Sequence, residues 1–111
     1  MYTFKVTDDE DLIAISFYNK DRSIDRLKLV DTEGTIQKEY SIEDFYKNDD
    51  SDEKMNIYIN DFSIDNSVLW GGIGGDLDVF LQFIIHLEDG RIEIIDYNKY
   101  EEYIQKYPYV N

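Results

Sequence analysis

Residues 67–97 read SVLWGGIGGDLDVFLQFIIHLEDGRIEIIDY, and the organisation of the whole chain follows from this stretch. Two apolar runs, 79–87 and 92–97, flank the sequence EDGR at 88–91. Aspartate followed by glycine between two apolar runs is typical of a β-hairpin turn. The stretch also contains the only Trp, the only His and five of the six Gly. We therefore expect the core to form around this hairpin.

The apolar composition favours strands throughout the chain. Ile occurs fifteen times, Leu seven times and Ala once, in a chain of 111 residues that is 42% hydrophobic. β-branched and aromatic residues suit a pleated sheet, and Ala is the best helix former. A chain of this length fits one domain with one ordinary core, so we assign residues 1–111 to a single domain.

Alternating apolar residues predict further strands before the hairpin. Residues 2–6 and 54–62 alternate, and residues 24–30 and 35–40 form a second hairpin about a turn at 32–34. The segment 12–18 is apolar on both sides, which fits a buried central strand or a short helix.

Two segments carry helix signals. Ser41 stands as an N-cap with Asp44 three residues later, and Tyr40 and Phe45 are placed for a hydrophobic staple. Residues 98–107 have apolar residues at helical spacing, with Asn98 as the expected cap and a proline after the last turn. The sequence therefore predicts an α+β fold. It would have a mostly antiparallel, hairpin-rich sheet of about six to seven strands, with a short middle helix and a C-terminal helix packed on one side.

The charge is strongly negative and unevenly distributed. The formal net charge is −14, and residues 55–90 contain no Lys or Arg. Nucleic acids and anionic membranes are themselves negative, so we expect neither to bind directly. A basic protein partner fits this charge, and so does an acidic surface that serves only solubility.

Several functions lack the residues they need. The chain has no cysteine, which excludes disulfides and thiolate zinc sites. The glycine run at 71–75 lacks the ending of a phosphate-binding loop and instead indicates a strand bulge, a tight connection or a flexible lip beside a surface. The acidic clusters at 8–11 and 49–53 lack the spacing of a calcium loop. The N-terminus does not read as a signal peptide, and the run 79–87 is too short to span a bilayer. We expect a cytoplasmic protein without metal or cofactor.

Aromatic residues beside carboxylates are typical of a surface that binds a basic protein. Rings anchor such an interface at its centre, and acids at its rim steer the partner. The acidic loop at 49–53 and the segment 70–78 combine these features without a basic residue. The predicted partner-binding residues are Asp49, Asp50, Asp52, Glu53, Trp70, Asp76 and Asp78.

His86 is the only conventional general base. On the strand predicted at 79–87 it shares a face with Gln82 and Ile84. Glu88 or Glu93 could supply an orienting carboxylate, but the sequence indicates no nucleophile. A structural histidine on the sheet surface is the simpler interpretation; a catalytic one requires a concave pocket around it.

The chain as a whole resembles the immunity proteins of bacterial toxin systems, such as contact-dependent growth inhibition. The shared features are small size, strong acidity, absence of cysteine, and abundance of Ile, Asn, Asp and Tyr. The sequence GGD at 74–76, running into a strand, resembles the Gly-rich strand region of the SUKH immunity superfamily. The N-terminal half departs from that superfamily, because strands stand where helices belong, so no site is transferred.

The resemblance implies a cognate toxin, often a basic nuclease, whose active or substrate-binding face is covered. Our first hypothesis is an inhibitor of this kind, which binds a basic toxin through an acidic surface. Alternatives are a DNA-mimic inhibitor of a restriction or CRISPR enzyme, and a small enzyme centred on His86. The sequence leaves the oligomeric state open.

Overall fold

Eight strands form two antiparallel four-stranded sheets in a computed structural model of the chain. The structure describes residues 3–6, 12–18, 24–45, 55–75 and 79–109. Sheet A contains β1 (Thr3–Val6), β2 (Leu12–Tyr18), β3 (Ile24–Asp31) and β4 (Ile36–Ser41), in that order. Sheet B contains β5 (Asn56–Phe62), β6 (Val68–Gly74), β7 (Val79–His86) and β8 (Ile92–Ile95). The two helices are α1 (Ile42–Phe45) and α2 (Tyr100–Lys106).

The predicted α+β class is confirmed, with eight strands in place of six to seven and two sheets in place of one. The segment 12–18, for which strand and helix were both open, is a strand between β1 and β3. No helix in the described ranges is long and apolar enough to cross a bilayer. The expected cytoplasmic location stays a prediction.

The capping signals of the two helices have different outcomes. The Ser41 backbone N–H donates to Asp44 Oδ2 at 2.8 Å, and the Tyr40 and Phe45 rings lie 5.8 Å apart, as predicted for α1. The N-cap of α2 is Lys99 rather than Asn98. The N-cap makes no side-chain capping hydrogen bond, and the Lys99 N–H donates to Asp96 Oδ1 at 3.0 Å in the turn before the helix.

The main core lies between the two sheets. It is built from buried apolar side chains of both sheets and α1, where the Phe45 ring packs 4.3 Å from the Phe83 ring. The Tyr40 hydroxyl on β4 also donates to the Gly90 carbonyl at 2.7 Å, which ties sheet A to the β7–β8 turn. The buried residues of this core are Ala14, Leu27, Leu29, Tyr40, Phe45, Ile57, Phe62, Leu69, Ile73, Phe83 and Ile85.

The other face of sheet B is covered by the C-terminal segment. Val68, Trp70, Ile84 and Ile95 are buried there under α2 and the residues that follow it. The side chains of α2 and its C-cap on this face are Tyr100, Tyr103, Ile104 and Tyr107, which is the helical stripe that the sequence predicts. Because both faces of sheet B are covered, all seven residues of β6 are buried.

Three glycines of the run, Gly71, Gly72 and Gly74, lie inside β6 rather than in a loop. A Cβ atom on Gly71 would lie 2.4 Å from Phe83 Cζ and 2.5 Å from the Tyr58 carbonyl oxygen, so only glycine fits under the Phe83 ring. Gly71 is thus neither a tight connection nor a flexible lip, and the predicted bulge lies in the partner strand, between Ile59 and Asp61 opposite Gly71 and Trp70. The pairing of β6 with β7 also shifts register between Ile73 and Gly74, and this irregularity agrees with the bulge that the sequence predicts.

Candidate functional site

Six of the seven predicted contact residues lie outside the described ranges: Asp49, Asp50, Asp52, Glu53, Asp76 and Asp78. Trp70 is described and has no exposed surface. Its indole packs against the Tyr100 and Tyr109 rings, and Nε1 donates to the Tyr107 carbonyl at 2.8 Å. Trp70 therefore belongs to the core under the C-terminal segment and is not available as a partner contact.

The described surface of the sheet B layer is nevertheless acidic; this layer comprises sheet B, its turns and α2. The stretch without Lys or Arg forms β5, β6 and β7. The exposed bases of the described layer are Arg91, Lys99 and Lys106. Its exposed acids are twice as many: Asp65, Glu88, Asp89, Asp96, Glu101 and Glu102.

Few of these acids are neutralised inside the chain. Within the described ranges, the only acids in salt bridges are Glu39, Asp89 and Glu93. Asp65 instead accepts hydrogen bonds from Ser63 Oγ at 2.8 Å and from the Ser67 N–H at 3.0 Å. Donation from Ser67 and Ser63 holds the Asp65 pKa below its usual value, because hydrogen bonds to the carboxylate favour its charged form.

A polar pocket of about 510 Å³ opens at the turn end of sheet B. The β5–β6 turn and the β7–β8 turn form its walls, and His86 lies between them. The Oδ1 atom of Asn66, which lines it, is buried and has no hydrogen-bond partner in the described chain. The pocket is lined by Asn66, Ser67, His86, Leu87, Glu88, Asp89, Arg91 and Tyr107.

A hydrogen-bonded chain joins β7, β8 and α2 beside this pocket. His86 Nε2 lies 2.9 Å from Glu93 Oε1, and the Tyr103 hydroxyl donates to Glu93 Oε2. Arg91 Nη1 lies 3.6 Å from Glu93 Oε1. The hydrogen bonds from Tyr103 and His86 lower the Glu93 pKa, and the same carboxylate raises the Tyr103 pKa by favouring the neutral phenol.

The sequence identified part of this arrangement. It offered Glu88 or Glu93 as the partner of His86, and the structure selects Glu93. Glu93 pairs with Ile84 across the hairpin, which puts its side chain on the His86 face as a diagonal neighbour. Tyr103 was missed, because its contact with Glu93 depends on how α2 packs on the sheet.

The His86 arrangement can hold and transfer a proton. Glu93 fixes the orientation of the imidazole, which is the role of the third group in a nucleophile–base–carboxylate set. Ser67 and Tyr107 bring hydroxyl groups to the polar pocket. Neither hydroxyl forms a hydrogen bond with His86 among the described residues, so no activated nucleophile is assembled there.

An apolar groove of about 520 Å³ lies at the opposite end of the β7–β8 hairpin. Tyr97 is 94% exposed and Ile94 is 40% exposed, so the groove has apolar side chains open to solvent. The Oε1 atom of Gln82 is buried there and has no hydrogen-bond partner in the described chain. The groove is lined by Leu81, Gln82, Ile94, Ile95, Asp96, Tyr97 and Tyr100.

The described residues include no group of three or more His, Cys, Asp or Glu side chains arranged to hold a metal ion. Comparison of the chain with protein-family models, curated proteins and solved structures gives no match. The resemblance to immunity proteins therefore stays a prediction from the sequence.

Proposed function

We propose that this protein is an inhibitor that binds a basic protein, as an immunity protein binds a nuclease-type toxin, and covers its active or substrate-binding face. One observation supports the proposal above the others. The exposed acids of the described sheet B layer outnumber the exposed bases by six to three, and of these acids only Asp89 forms a salt bridge there. Five exposed carboxylates are therefore left without an internal counterion in the described layer.

Such a surface acts first on the rate of association. Complementary charge raises the rate at which two proteins meet, and salt weakens this effect by screening. The predicted acids at 49–53, together with Asp76 and Asp78, would add to the same field. Once bound, the acidic surface would occupy the basic face on which a nuclease holds its nucleic acid.

The first experiment is a tagged pull-down from cells that carry the native neighbouring genes, with mass spectrometry of the bound proteins. We expect one basic partner at near-equal stoichiometry. Recovery of no partner at low and at moderate salt would contradict the proposal. A restriction or CRISPR enzyme in place of a toxin would favour the DNA-mimic alternative, which stays a prediction.

The second experiment tests whether the sheet B layer is the binding surface. We expect the double variant Glu101→Lys, Glu102→Lys to slow association about tenfold at low salt, with a smaller effect at high salt. The matched control is Glu33→Lys, Glu43→Lys, which changes the same charge at exposed positions of the sheet A half. Equal slowing by both pairs would show that only net charge matters.

A small enzyme centred on His86 is the second candidate, favoured by the His86–Glu93 hydrogen bond at the polar pocket. A panel of chromogenic esters and phosphodiesters would test it, with His86→Gln and Glu93→Gln beside the wild type. The enzyme hypothesis expects turnover that both substitutions reduce. Turnover by the wild type no faster than in buffer, or unchanged in His86→Gln, would reject it for these substrates.

A further inference from the structure

The outer edge of β8 presents unpaired backbone groups. The His86 N–H donates to the Arg91 carbonyl at 2.8 Å, which fixes the alternation of hydrogen bonds along this antiparallel pair. By that alternation, Ile84 and Glu93 form a hydrogen-bonded pair, whereas the N–H and C=O groups of Ile92 and Ile94 point away from β7. No backbone group in the described chain pairs with these outward groups.

This edge is only lightly protected: β8 is four residues long, and its one charged side chain, Glu93, is bonded to His86 and Tyr103. Natural edge strands carry charges, prolines or bulges that prevent pairing with another chain. The sequence of β8 is IEII, and Ile94 is 40% exposed. By contrast β4, an outer strand of sheet A, carries Lys38 and Glu39 at exposed positions.

At the apolar groove, β7 extends further than its partner β8. The pairing of β7 with β8 ends at Gln82 opposite Ile95, whereas β7 begins at Val79. Residues 79–81 therefore extend beyond β8 without a paired strand on that side in the described chain. The groove lies where β7 extends beyond β8, with exposed Ile94 and Tyr97 beside the exposed acid Asp96.

We propose that the β8 edge and the apolar groove bind an extended segment of a partner protein, which pairs as a fifth strand of sheet B. The segment would alternate apolar residues with lysine or arginine. Its backbone would bond to the outward groups of Ile92 and Ile94, and an apolar side chain would fill the groove. The positive charge of the segment rests on the proposed function; the strand pairing rests on the open edge alone.

Charge argues against a second copy of this chain as the occupant. A second copy would bring a further net charge of −14 to an edge that already has Asp96 and Glu93 beside it. Repulsion of this kind opposes association, whereas a cationic segment gains from the same field.

The test uses a short peptide of alternating Lys and Val, and a control peptide of the same sequence with every backbone nitrogen methylated. Both carry the same charge, but the control cannot donate backbone hydrogen bonds. In NMR titrations of the ¹⁵N-labelled protein, we expect the first peptide to shift the amide signals of Ile92 and Ile94. We expect the methylated peptide to bind at least about tenfold more weakly.

A variant of the protein provides the matching control, because it removes a backbone donor from β8 instead of from the peptide. Ile94→Pro removes an outward N–H, and the Phe83–Ile94 pair contributes no bond between the strands, so we expect the fold to persist. It should bind the Lys–Val peptide about tenfold more weakly than Ile94→Val, which keeps the N–H. If Ile94→Pro does not fold, the two peptides on the wild type still decide the question.

Equal affinity for the two peptides would overturn the inference and leave the proposed function standing, because charge alone would then explain binding. No detectable binding of either peptide would also overturn it. Dimerisation of the wild type that Ile94→Pro abolishes would assign the edge to a second copy. Failure of the pull-down, by contrast, would contradict the proposed function while leaving the peptide result intact.

Discussion

The two faces of sheet B are both covered, but by different chemistry. The face toward sheet A meets apolar side chains and the Phe45 ring, and it has no space for a Cβ at Gly71. The face toward α2 meets tyrosines, and two of its polar groups are hydrogen-bonded: the Trp70 indole to the Tyr107 carbonyl, and the Tyr103 hydroxyl to Glu93. The first face specifies how the sheets pack, whereas the second also organises the groups that chemistry or binding would use.

The difference also explains where the cavities lie. Interdigitated apolar side chains leave few gaps, because each lost contact costs dispersion energy. A single short helix over a four-stranded sheet covers only its middle. The polar pocket and the apolar groove lie at the two ends of the β7–β8 hairpin. Tyr107, after the last turn of α2, lines the pocket, and Tyr100, at the start of α2, lines the groove.

The largest expected effect comes from Trp70, which supports the α2 face. Trp70→Ala should lower the free energy of unfolding by about 3–5 kcal/mol, because it empties the centre of that face. Trp70→Phe keeps most of the packing and should cost less, although it leaves the Tyr107 carbonyl without its donor. Urea unfolding measures both. A cost below about 1 kcal/mol for the alanine variant would show that α2 adds little, and the comparison of faces would fail.

Gly71→Ala tests the face toward sheet A. It should lower the free energy of unfolding by about 3 kcal/mol, the upper end of the usual cost of overpacking a core. The added carbon would meet the Tyr58 carbonyl oxygen at 2.5 Å, and a backbone atom in a paired strand cannot move aside cheaply. The control is Gly75→Ala, where no atom of the described residues lies within 4 Å of the added carbon, with an expected change in the free energy of unfolding within about 0.5 kcal/mol. Similar values for the two variants would show that the face is less tightly packed than its geometry indicates.

Glu93→Gln should cost about 1 kcal/mol at neutral pH, since the carboxylate is partly exposed and solvent weakens its interactions. The pH dependence is more specific. The folded pKa lies below the ordinary 4.5, so the stabilisation is present above that value and is lost as the pH falls through the folded pKa. Acid unfolding should therefore be steeper in the wild type than in Glu93→Gln, with Glu101→Gln as an exposed control. Parallel acid curves for wild type and Glu93→Gln would contradict the hydrogen-bonded chain.

The smallest effect is expected on sheet A, away from both faces of sheet B. Arg26 and Glu39 form a 3.3 Å salt bridge, and their side chains are 56% and 41% exposed. Arg26→Ala should change the free energy of unfolding by no more than about 0.5 kcal/mol. Calorimetry at low and high salt would check this; a cost above about 1 kcal/mol would place a larger share of the stability in sheet A than we infer.

Local signals in the sequence predicted local structure well. The aspartate–glycine pair gave the β7–β8 turn, in which Gly90 has φ of +78°, and the helical stripe gave the buried face of α2. The division into two sheets was not predictable in this way, because alternation shows that a segment is a strand but not which strands it joins. Trp70 illustrates the same limit: its burial depends on α2, which lies about thirty residues further along the chain.

The candidate site was predictable only in part. The face of His86 followed from strand alternation, but the sequence left Glu88 and Glu93 open as its partner, and only the hairpin register of the structure selects Glu93. The apolar groove arises because β8 ends at Ile95 while β7 begins at Val79, a difference in strand length that the apolar pattern conceals. Most predicted acidic contacts lie outside the described ranges, so they stay predictions.

Both sheets are built only from strands that follow one another along the chain. Each sheet can therefore close through short loops before the sheets meet, which favours rapid early steps in folding. The Tyr40 hydroxyl and the Gly90 carbonyl are separated by 50 residues, so their bond belongs to the docking of the sheets. If docking follows the transition state, Tyr40→Phe should raise the unfolding rate and leave the folding rate nearly unchanged in stopped-flow measurements. Slower folding in that variant would instead place the junction of the sheets in the folding nucleus.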